Sequence, residues 1–407
     1  MTKTGTELVD PLHPVTTAFL NNPYPIYAAL RSEAPIFYCK KGKYWVVTSY
    51  QLANEITKDL RFGKRLERWK HISPIARILP GTAHLIKTRA NWMLNENPPT
   101  HTHLRSLVNK AFSPKIIQQM REHVQRIADR FIDKALPNGK MEFISEFAFL
   151  LPITVIAEML GIPGEDHEKF KDWSHEMTQT LEPGYSISTL NKANKANDDL
   201  MNYFKPLVEE RRKNPKSDLI SALVMAEENG DSLSEADILG NLVLMLVAGH
   251  ETTVNLIGNG LLWLLKSPEQ LALLRANPEN METAVEEMLR YDSPVQTVKR
   301  IIEEDMEYHG KQLKKGDMVV IYIGACNRDP AIFPDPDRFD ITRKENKHLA
   351  FSSGIHHCLG ASLARMEGQI AISTMLNRLP NLRLAEQEFE YKRPFNLRGV
   401  KEMHLLF

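Results

Sequence analysis

The segment from Ser234 to Leu265 constrains the fold of this chain more than any other. Ser234 opens a capping-box-like sequence, and the helical pattern then continues to about Leu265, just before Pro268. At 1.5 Å per residue a helix of this extent is about 45 Å long. Such a helix spans a whole domain, so the other elements have to pack around it.

The middle of this segment is apolar on every side, from Leu242 to Ala248. A helix needs about eighteen consecutive apolar residues to cross a membrane, and polar residues interrupt this run well before that length. The interrupting residues are His250, Glu251, Thr252, Asn255 and Asn259. The pattern therefore predicts a buried helix at the centre of a helical core.

Helical patterns dominate from His103 to Tyr291; in Ile117–Ala135, for example, apolar residues recur at three- and four-residue spacing. Between Arg61 and Asn97 the periodicity fades into a long connection, which is typical of a functional loop or lid. Strand patterns are short and lie at Lys43–Thr48, at Met318–Ile323 and within Leu382–Phe407. We predict a mainly α, α-rich α+β fold with small peripheral β-sheets, as one domain over residues 1–407.

The chain carries 51 basic and 51 acidic side chains, so its formal net charge is zero. A balanced charge argues against a nucleic-acid-binding protein. Its three cysteines, Cys39, Cys326 and Cys358, are far apart, which argues against a disulfide framework and for a reducing compartment. Met1–Asp10 is polar and has no apolar run for a signal peptide or an anchor. These features predict a soluble, cytoplasmic protein.

Cys358 lies in the decamer Phe351–Gly360, a loop that runs into a helix opening at about Leu359. Gly354 lets the backbone turn without a Cβ and approach a flat ligand closely, and Phe351 can pack over the sulfur. The first amides of the helix point back at Cys358. We expect them to donate hydrogen bonds to the sulfur and to lower the pKa of the thiol. The decamer thus predicts a sheltered thiolate.

Cys358 on its own has other interpretations. A single intracellular cysteine is most often a small buried apolar residue. A zinc site is disfavoured, because His356, His357 and Cys358 are consecutive and the sequence has no Cys-x-x-Cys pair to complete a tetrahedron. A cysteine hydrolase needs a base close to the sulfur, and adjacent histidines in a tight loop point in different directions.

The sextet Ala248–Thr253 places Glu251 beside Thr252 inside the apolar helix. A carboxylate is costly to bury unless it is used or hydrated. One interpretation is a solvated kink, since a threonine hydroxyl can bond back to the carbonyl four residues earlier. The other is a site that handles protons. Further along, Glu287 and Arg290 lie three residues apart and can pair on one helical face.

The spacing Phe-x-x-Gly-x-x-x-Cys-x-Gly resembles the haem-binding loop of the cytochrome P450 superfamily, in particular of its soluble bacterial members. The sextet resembles the acid and alcohol pair of that family, and the ordered motifs cover nearly the whole chain. The resemblance implies a monooxygenase that hydroxylates or epoxidises an apolar organic substrate, such as a fatty acid, polyketide, terpene or steroid. It would hold haem b by Cys358, whose electron donation favours O–O cleavage. The resemblance also implies that Thr252 hydrogen-bonds the oxygen ligand and that Glu251 relays protons.

Further roles follow from the same resemblance. Ala248 and Gly249 would line the haem, with Gly249 leaving room for a diatomic ligand, and Gly360 would keep the helix start clear of the macrocycle. The two haem propionates would be bound by His101, Arg105, Arg300 and His356. Glu287 and Arg290 would join Arg338 in a buried ion network. The chain departs from the commoner family pattern at Asn97, Thr100 and His103, and none of these changes removes a propionate donor.

Charge and apolar surface give expectations for the substrate and partners. The stretch from Arg61 to Arg89 has eight basic residues and a single acid, Glu67. The resemblance makes it the loop over the substrate pocket, which favours a substrate with an anionic group, such as a fatty acid or a carrier-bound acyl chain; a solvated surface loop is the other interpretation. The expected pocket walls are mostly apolar: Leu242, Val243, Leu246, Val247, Val295, Thr297 and Phe395. An acidic ferredoxin or flavodoxin, with its reductase, would dock near the cysteine on Lys110, Lys115, Arg343, Lys344, Lys347 and Arg365.

Two alternatives remain at this stage. A peroxygenase driven by hydrogen peroxide would have the same fold, but it would not need the Glu251 and Thr252 pair. A non-catalytic haem protein, either a gas sensor or an electron carrier, would belong to another functional class. The sequence carries no additional signalling domain that would favour it.

Overall fold

The computed structural model describes residues 16–71, 83–112, 114–180, 186–228, 231–393 and 395–407. Helices account for most of them, as the apolar periodicity predicts. In chain order the helices are α1 (Thr17–Asn21), α2 (Tyr24–Glu33), α3 (Tyr50–Lys58), α4 (Ala83–Ala90), α5 (Thr100–Ala111), α6 (Pro114–Gln119), α7 (Arg121–Ala135), α8 (Leu150–Leu160), α9 (His167–Thr178), α10 (Ile187–Lys213), α11 (Leu219–Val224), α12 (Glu235–Leu265), α13 (Pro268–Ala276), α14 (Met281–Tyr291), α15 (Ile323–Cys326) and α16 (Ala361–Arg378). Single turns of tighter or wider helix lie at Leu66–Arg68, Met93–Asn95, Leu136–Asn138, Ile144–Ala148, Gly164–Asp166, Pro278–Asn280 and Gly354–His356.

The strands are short. They are β1 (Ile36–Cys39), β2 (Tyr44–Val47), β3 (Phe62–Gly63), β4 (Lys140–Glu142), β5 (Glu227–Glu228), β6 (Asp231–Ser232), β7 (Thr297–Ile302), β8 (Met306–Tyr308), β9 (Lys311–Leu313), β10 (Met318–Tyr322), β11 (Arg383–Leu384) and β12 (His404–Leu406). The main sheet has the order β1-β2-β10-β7-β3, with β2 and β10 parallel and the other pairs antiparallel. The smaller sheets are β11-β12-β4, β5-β6 and β8-β9.

The helix α12 is the centre of the fold. Ser234 and Asp237 form a reciprocal capping box at its start, so the predicted beginning and end of this helix are confirmed. It packs against α8, α9, α10, α14 and α16. This enclosure explains why most of its residues are apolar, because a helix with packed neighbours on most sides has little surface left for polar side chains. No helix in the described part of the chain is long and apolar enough to cross a membrane.

The mainly α architecture with small peripheral sheets is confirmed. The expected helix from Ile117 to Ala135 is divided into α6 and α7, because the Met120 N–H bonds to the Ile117 carbonyl three residues back and tightens the turn there. The long connection from Arg61 to Asn97 contains β3, α4 and two single turns. Arg77 and Met1–Asp10 lie outside the described residues, and one domain over residues 1–407 stays a prediction.

Candidate functional site

The loop that carries Cys358 is fixed against the end of α3. Gly354 has a φ of 70°, and an added Cβ there would overlap the Thr57 carbonyl oxygen. The hydroxyl groups of Ser353 and Thr57 form a hydrogen bond of 2.5 Å. The Cys358 N–H donates to the Phe351 carbonyl at 2.9 Å. Only glycine combines this backbone conformation with so close an approach, so the expected turn at Gly354 is confirmed.

The Cys358 sulfur is accessible and yet surrounded by protein. Its side chain is exposed, but burial raises the pKa of the thiol above its usual value, against the Gly360 backbone N–H, Arg105 and Arg365, which favour the thiolate. Both observations hold if the sulfur opens into a recess rather than onto the outer surface. The hydrogen bond from the helix start is present, whereas the expected lowering of the pKa was wrong, because withdrawal from water outweighs the amide and the two cations.

The middle of α12 opens into an internal cleft. Ala248 and Gly249 are exposed, whereas Val247 and His250 on either side of them are buried. Since other helices surround α12, this exposed surface faces a cleft inside the protein. The helix α16, which begins just after Cys358, packs directly on α12. An added Cβ at Gly249 would meet Ile156 at ordinary contact distances of 3.9 and 4.0 Å, so helix packing alone does not require glycine there.

Glu251 and Thr252 differ in their bonding. Thr252 donates its hydroxyl hydrogen to the Ala248 carbonyl at 2.9 Å, which leaves its oxygen able to accept. Glu251 is buried and forms an ion pair with Lys392, with 2.8 Å between Nζ and Oε1. Burial would raise the pKa of Glu251, but attraction to Lys392 and His250 and the hydrogen bond from Lys392 outweigh it, so the pKa lies below its usual value.

Basic side chains from four parts of the chain converge beside the cysteine loop. They are Lys64 after β3, His101 and Arg105 on α5, Arg300 on β7 and His356 in the loop. The rings of His101 and His356 lie 4.1 Å apart between centroids. Burial, with repulsion from Arg105 and Lys64, lowers the pKa of His101 to about 4. Burial, together with repulsion from the other four basic side chains of this group, lowers the pKa of His356 to about 2.

This group of five residues, the cation cluster, has the character of a dicarboxylate site. Burial lowers the pKa of Arg300 to about 10, and burial with repulsion from Arg300 and Lys299 lowers that of Lys64. Within the described residues the buried atoms Arg300 Nη2 and His101 Nδ1 have no hydrogen-bond partner. Buried cations are costly without counter-charges, and the two propionates of a haem would supply them. The residues present therefore fit the group.

The ion pair of Glu287 and Arg290 is fully buried. Arg290 Nε and Nη2 donate to the Glu287 carboxylate at 2.7 and 2.8 Å, and both side chains have 0% exposure. The expectation for the third member was wrong. Arg338 contributes its backbone carbonyl, which accepts from Arg290 at 3.0 Å, while Arg343 brings the second cation to Glu287 at 3.3 Å. The side chain of Arg338 is exposed, so its charge stays in water.

Sequence reasoning missed three residues of this region. Lys64 was counted only as one more charge in a basic loop, and its position directly after the short strand β3 was the available signal. Lys392 carried no signal, because its partner lies 141 residues away. Glu367 on α16 is fully enclosed, and burial raises its pKa to about 8 against a hydrogen bond from Thr253. It is therefore mostly protonated at neutral pH.

The basic stretch from Arg61 to Arg89 is partly neutralised by acids of the same chain. Among its described residues four cations form ion pairs: Arg61 with Asp59, Arg65 with Glu96, Arg68 with Glu303 and Lys70 with Asp317. Among the residues expected to receive a redox protein, Arg343 pairs with Glu287 and Arg365 with Glu286. The side chains of Lys110 and Lys115 lie outside the described part of the structure.

Comparison with known proteins gives one consistent result. Residues 35–394 match the family model described as Cytochrome P450. A biotin biosynthesis cytochrome P450 of Bacillus subtilis (strain 168) is 41% identical over 96% of this chain and 98% of its own length. The crystal structure of P450BioI in complex with hexadec-9Z-enoic acid ligated acyl carrier protein superposes with a TM-score of 0.90 at 40% identity, covering 96% of this chain and 99% of that one. The myxobacterial cytochrome P450 CYP267B1 in complex with myristic acid gives a TM-score of 0.88 at 37% identity, covering 96% and 98%.

Proposed function

Because this chain belongs to the cytochrome P450 family, we propose that Cys358 is the axial ligand of its haem and that Glu251 and Thr252 manage protons in the cleft. As a member of this family, the chain is a haem b monooxygenase that acts on apolar organic substrates. When bound, the haem supplies the oxidising chemistry that inserts one oxygen atom of O₂ into the substrate and releases the other as water. The cation cluster is the observation that carries the assignment of the site.

Each residue of the site has a proposed task. Gly354 and Phe351 hold the loop that presents Cys358, and Gly360 leaves open space at the start of α16, since an added Cβ there meets nothing within 4 Å in the described structure. Ala248 and Gly249 form the exposed floor of the cleft on α12. A substrate above them would displace water from an apolar surface.

Thr252 and Glu251 carry the proton handling in this proposal. The Thr252 hydroxyl donates to the Ala248 carbonyl, so its oxygen accepts a hydrogen bond from a water or ligand in the cleft. Glu251 stays ionised inside the protein because Lys392 faces it, so its carboxylate can take up a proton and pass it on. The pair is what a monooxygenase needs, since water formation from O₂ consumes two protons.

Thr252→Ala is expected to keep haem and substrate binding but to divert electrons into hydrogen peroxide. The variant loses the hydroxyl oxygen that accepts in the cleft, and α12 keeps its backbone bonds. The measurement is the amount of hydrogen peroxide and of oxidised product formed for each NADH consumed, with surrogate ferredoxin and reductase. Thr252→Ser retains the hydroxyl and should behave as the unmodified protein. Unchanged coupling in Thr252→Ala would mean that another group delivers protons.

Arg300→Gln and Lys64→Gln are expected to speed haem loss about tenfold or more, because a hydrogen bond to a charged group is worth about 1.5 to 3 kcal/mol. The measurement is the rate of haem transfer to an excess of apomyoglobin. With haem dimethyl ester, which has no carboxylates, the same variants should match the unmodified protein. Arg61→Gln, at an exposed arginine paired with Asp59, is the matched control. An equal effect on haem and its diester would exclude propionate binding by these residues.

For the substrate we propose a long acyl chain. The exposed floor of the cleft, Ala248 and Gly249, is apolar, and two solved relatives were captured with fatty acyl ligands, one of them carried by acyl carrier protein. Since Arg65, Arg68 and Lys70 are already paired, their attraction for a free carboxylate adds little. The aliphatic chain is thus the main determinant in this proposal.

Spectral titration with myristic acid, its methyl ester and testosterone tests this substrate class. We expect acid and ester to bind with similar affinity and the steroid to bind more weakly. A strong preference for the acid would show that one of the basic pairs opens to receive a carboxylate, as the charge of the stretch first suggested. Tighter binding of testosterone would exclude the acyl class.

Electrons are proposed to come from a separate ferredoxin or flavodoxin with its reductase. Lys344 and Lys347 are the cations of the expected docking set that form no ion pair within the described residues. They lie in the segment that leads into the cysteine loop. A partner with an acidic surface would be attracted there, at a rate that falls as salt rises. The cytoplasmic location stays a prediction.

A further inference from the structure

The C-terminal hairpin, residues 390–401 without residue 394, brings a lysine to the central helix. Its arms are joined by bonds from the Lys392 N–H to the Gly399 carbonyl and from the Lys401 N–H to the Glu390 carbonyl, each 2.8 Å long. Its tip is tied to the start of β7, where the Gln296 N–H donates to the Asn396 carbonyl at 2.8 Å. Lys392 therefore projects from a fixed support.

This hairpin lies directly on α12. An added Cβ at Gly399 would overlap Asn255 Oδ1, so the glycine permits the close approach. At this contact Lys392 Nζ donates to Glu251 Oε1 at 2.8 Å and to Asn255 Oδ1 at 3.4 Å. The lysine side chain keeps 23% exposure, against 10% for Glu251. Lys392 thus links the buried carboxylate to solvent.

A polar stripe runs along α12 beneath the hairpin. Glu251, Asn255 and Asn259 follow one another at four-residue spacing, on one face of the helix, and all three are buried. Within the described residues Asn255 Nδ2 and Asn259 Oδ1 have no hydrogen-bond partner. Buried polar atoms of this kind are normally satisfied by ordered water. The stripe has the composition of a hydrated path that ends at Glu251.

The groups that face Glu251 come from three elements. They are Lys392 on the hairpin, His250 on α12 itself and His175 on α9. His250 contacts Ser174 Oγ through Nδ1 at 3.3 Å and packs on the Phe149 ring, and burial lowers its pKa to about 4, so it is neutral at pH 7. Lys392 is therefore the dominant positive charge on this carboxylate.

We propose that Lys392 is a positioning residue for Glu251. The Lys392 ammonium holds the Glu251 carboxylate against the hairpin, so that protons reach this carboxylate along the polar stripe of α12. The inference rests on the proposed role of Glu251 as a proton relay. It assigns proton entry to the hairpin side of the helix. The Lys392 ammonium acts through Glu251 and does not touch the substrate or the haem in this proposal.

The test follows the carboxyl group of Glu251 directly. Its protonated form gives an infrared band that pH-difference spectra resolve and that Glu251→Gln removes. Lys392→Gln should raise the midpoint pH of this band by about one to three units, because removing a close opposite charge leaves burial to raise the pKa. Lys392→Arg should keep the midpoint near its original value. Lys401→Gln is the matched control, since this lysine of the same hairpin pairs with Glu390 at the surface.

The same variants separate the inference from the function beneath it. A turnover assay with myristic acid, surrogate ferredoxin and reductase gives the amount of product per NADH consumed as a function of pH. In Lys392→Gln the acidic side of this pH profile should shift together with the infrared midpoint. If Glu251→Gln lowers coupling while Lys392→Gln leaves both midpoint and coupling unchanged, the role of Lys392 is excluded and the relay stands. If Glu251→Gln itself leaves coupling unchanged, the relay is excluded and the role of Lys392 with it.

Discussion

The reduced carbon-monoxide difference spectrum of Cys358→Ser is expected to lack the band that thiolate ligation produces. A serine hydroxyl is neutral at every accessible pH and donates far less electron density than a thiolate, so haem that remains would bind weakly or through another ligand. The loss should be complete, because the other described cysteines, Cys39 and Cys326, are buried elsewhere in the fold. Haem content by pyridine haemochrome and the difference spectrum measure the two effects separately.

Cys39→Ser provides the matched control for that experiment. Cys39 is a free, buried cysteine on β1, outside the cysteine loop, and the substitution makes the same exchange of sulfur for oxygen. Its spectrum should equal that of the unmodified protein. A thiolate band that survives in Cys358→Ser would exclude Cys358 as the ligand, whatever the control shows.

The second large effect is expected from Glu287→Gln, which should reduce the free energy of unfolding by about 3 to 5 kcal/mol. The substitution keeps the shape of the side chain and removes its charge. Arg290, with 0% exposure, would then hold a buried charge without its counter-ion, and Arg343 would lose its partner as well. The measurement is the denaturant midpoint of the haem-loaded protein, together with its haem content after expression.

Glu390→Gln is the matched control, because it removes the same charge from an exposed ion pair and so shows how much of the stability lost in Glu287→Gln is due to burial. Glu390 pairs with Lys401 at 2.5 Å, but the two side chains are 69% and 51% exposed. Exposed pairs contribute little, so this variant should leave the denaturant midpoint close to that of the unmodified protein. Similar losses in both variants would show that Glu287 contributes no more than a surface charge does.

Local patterns in the sequence were sufficient to predict the elements that build the site. The capping box and apolar run determine α12, and the positions of Gly354 and Cys358 determine the loop, because both depend on interactions within a few residues. His101 and His356 could be expected together only through the family resemblance. Their 4.1 Å ring contact joins parts of the chain that no local pattern connects.

The errors have a common physical origin. The pKa of Cys358 was expected to fall because the helix start is visible in sequence, whereas the burial that raises it depends on the whole fold. Arg338 was expected to use its charge, but the folded segment turns that charge to solvent and offers a carbonyl. Lys64 and Lys392 were missed for the same reason, since their burial and their partners arise from tertiary packing.

The main sheet also restricts when this protein can fold during synthesis. β2 ends at Val47, and its parallel neighbour β10 begins only at Met318, so a nascent chain holds β1 and β2 without their partner until most of the protein has left the ribosome. Pairing of such high contact order is slow. The cysteine loop packs on α3 from the same early segment through Gly354 and Thr57. Haem capture is thus expected to be a late, post-translational event, and chains truncated near Tyr291 should not retain haem.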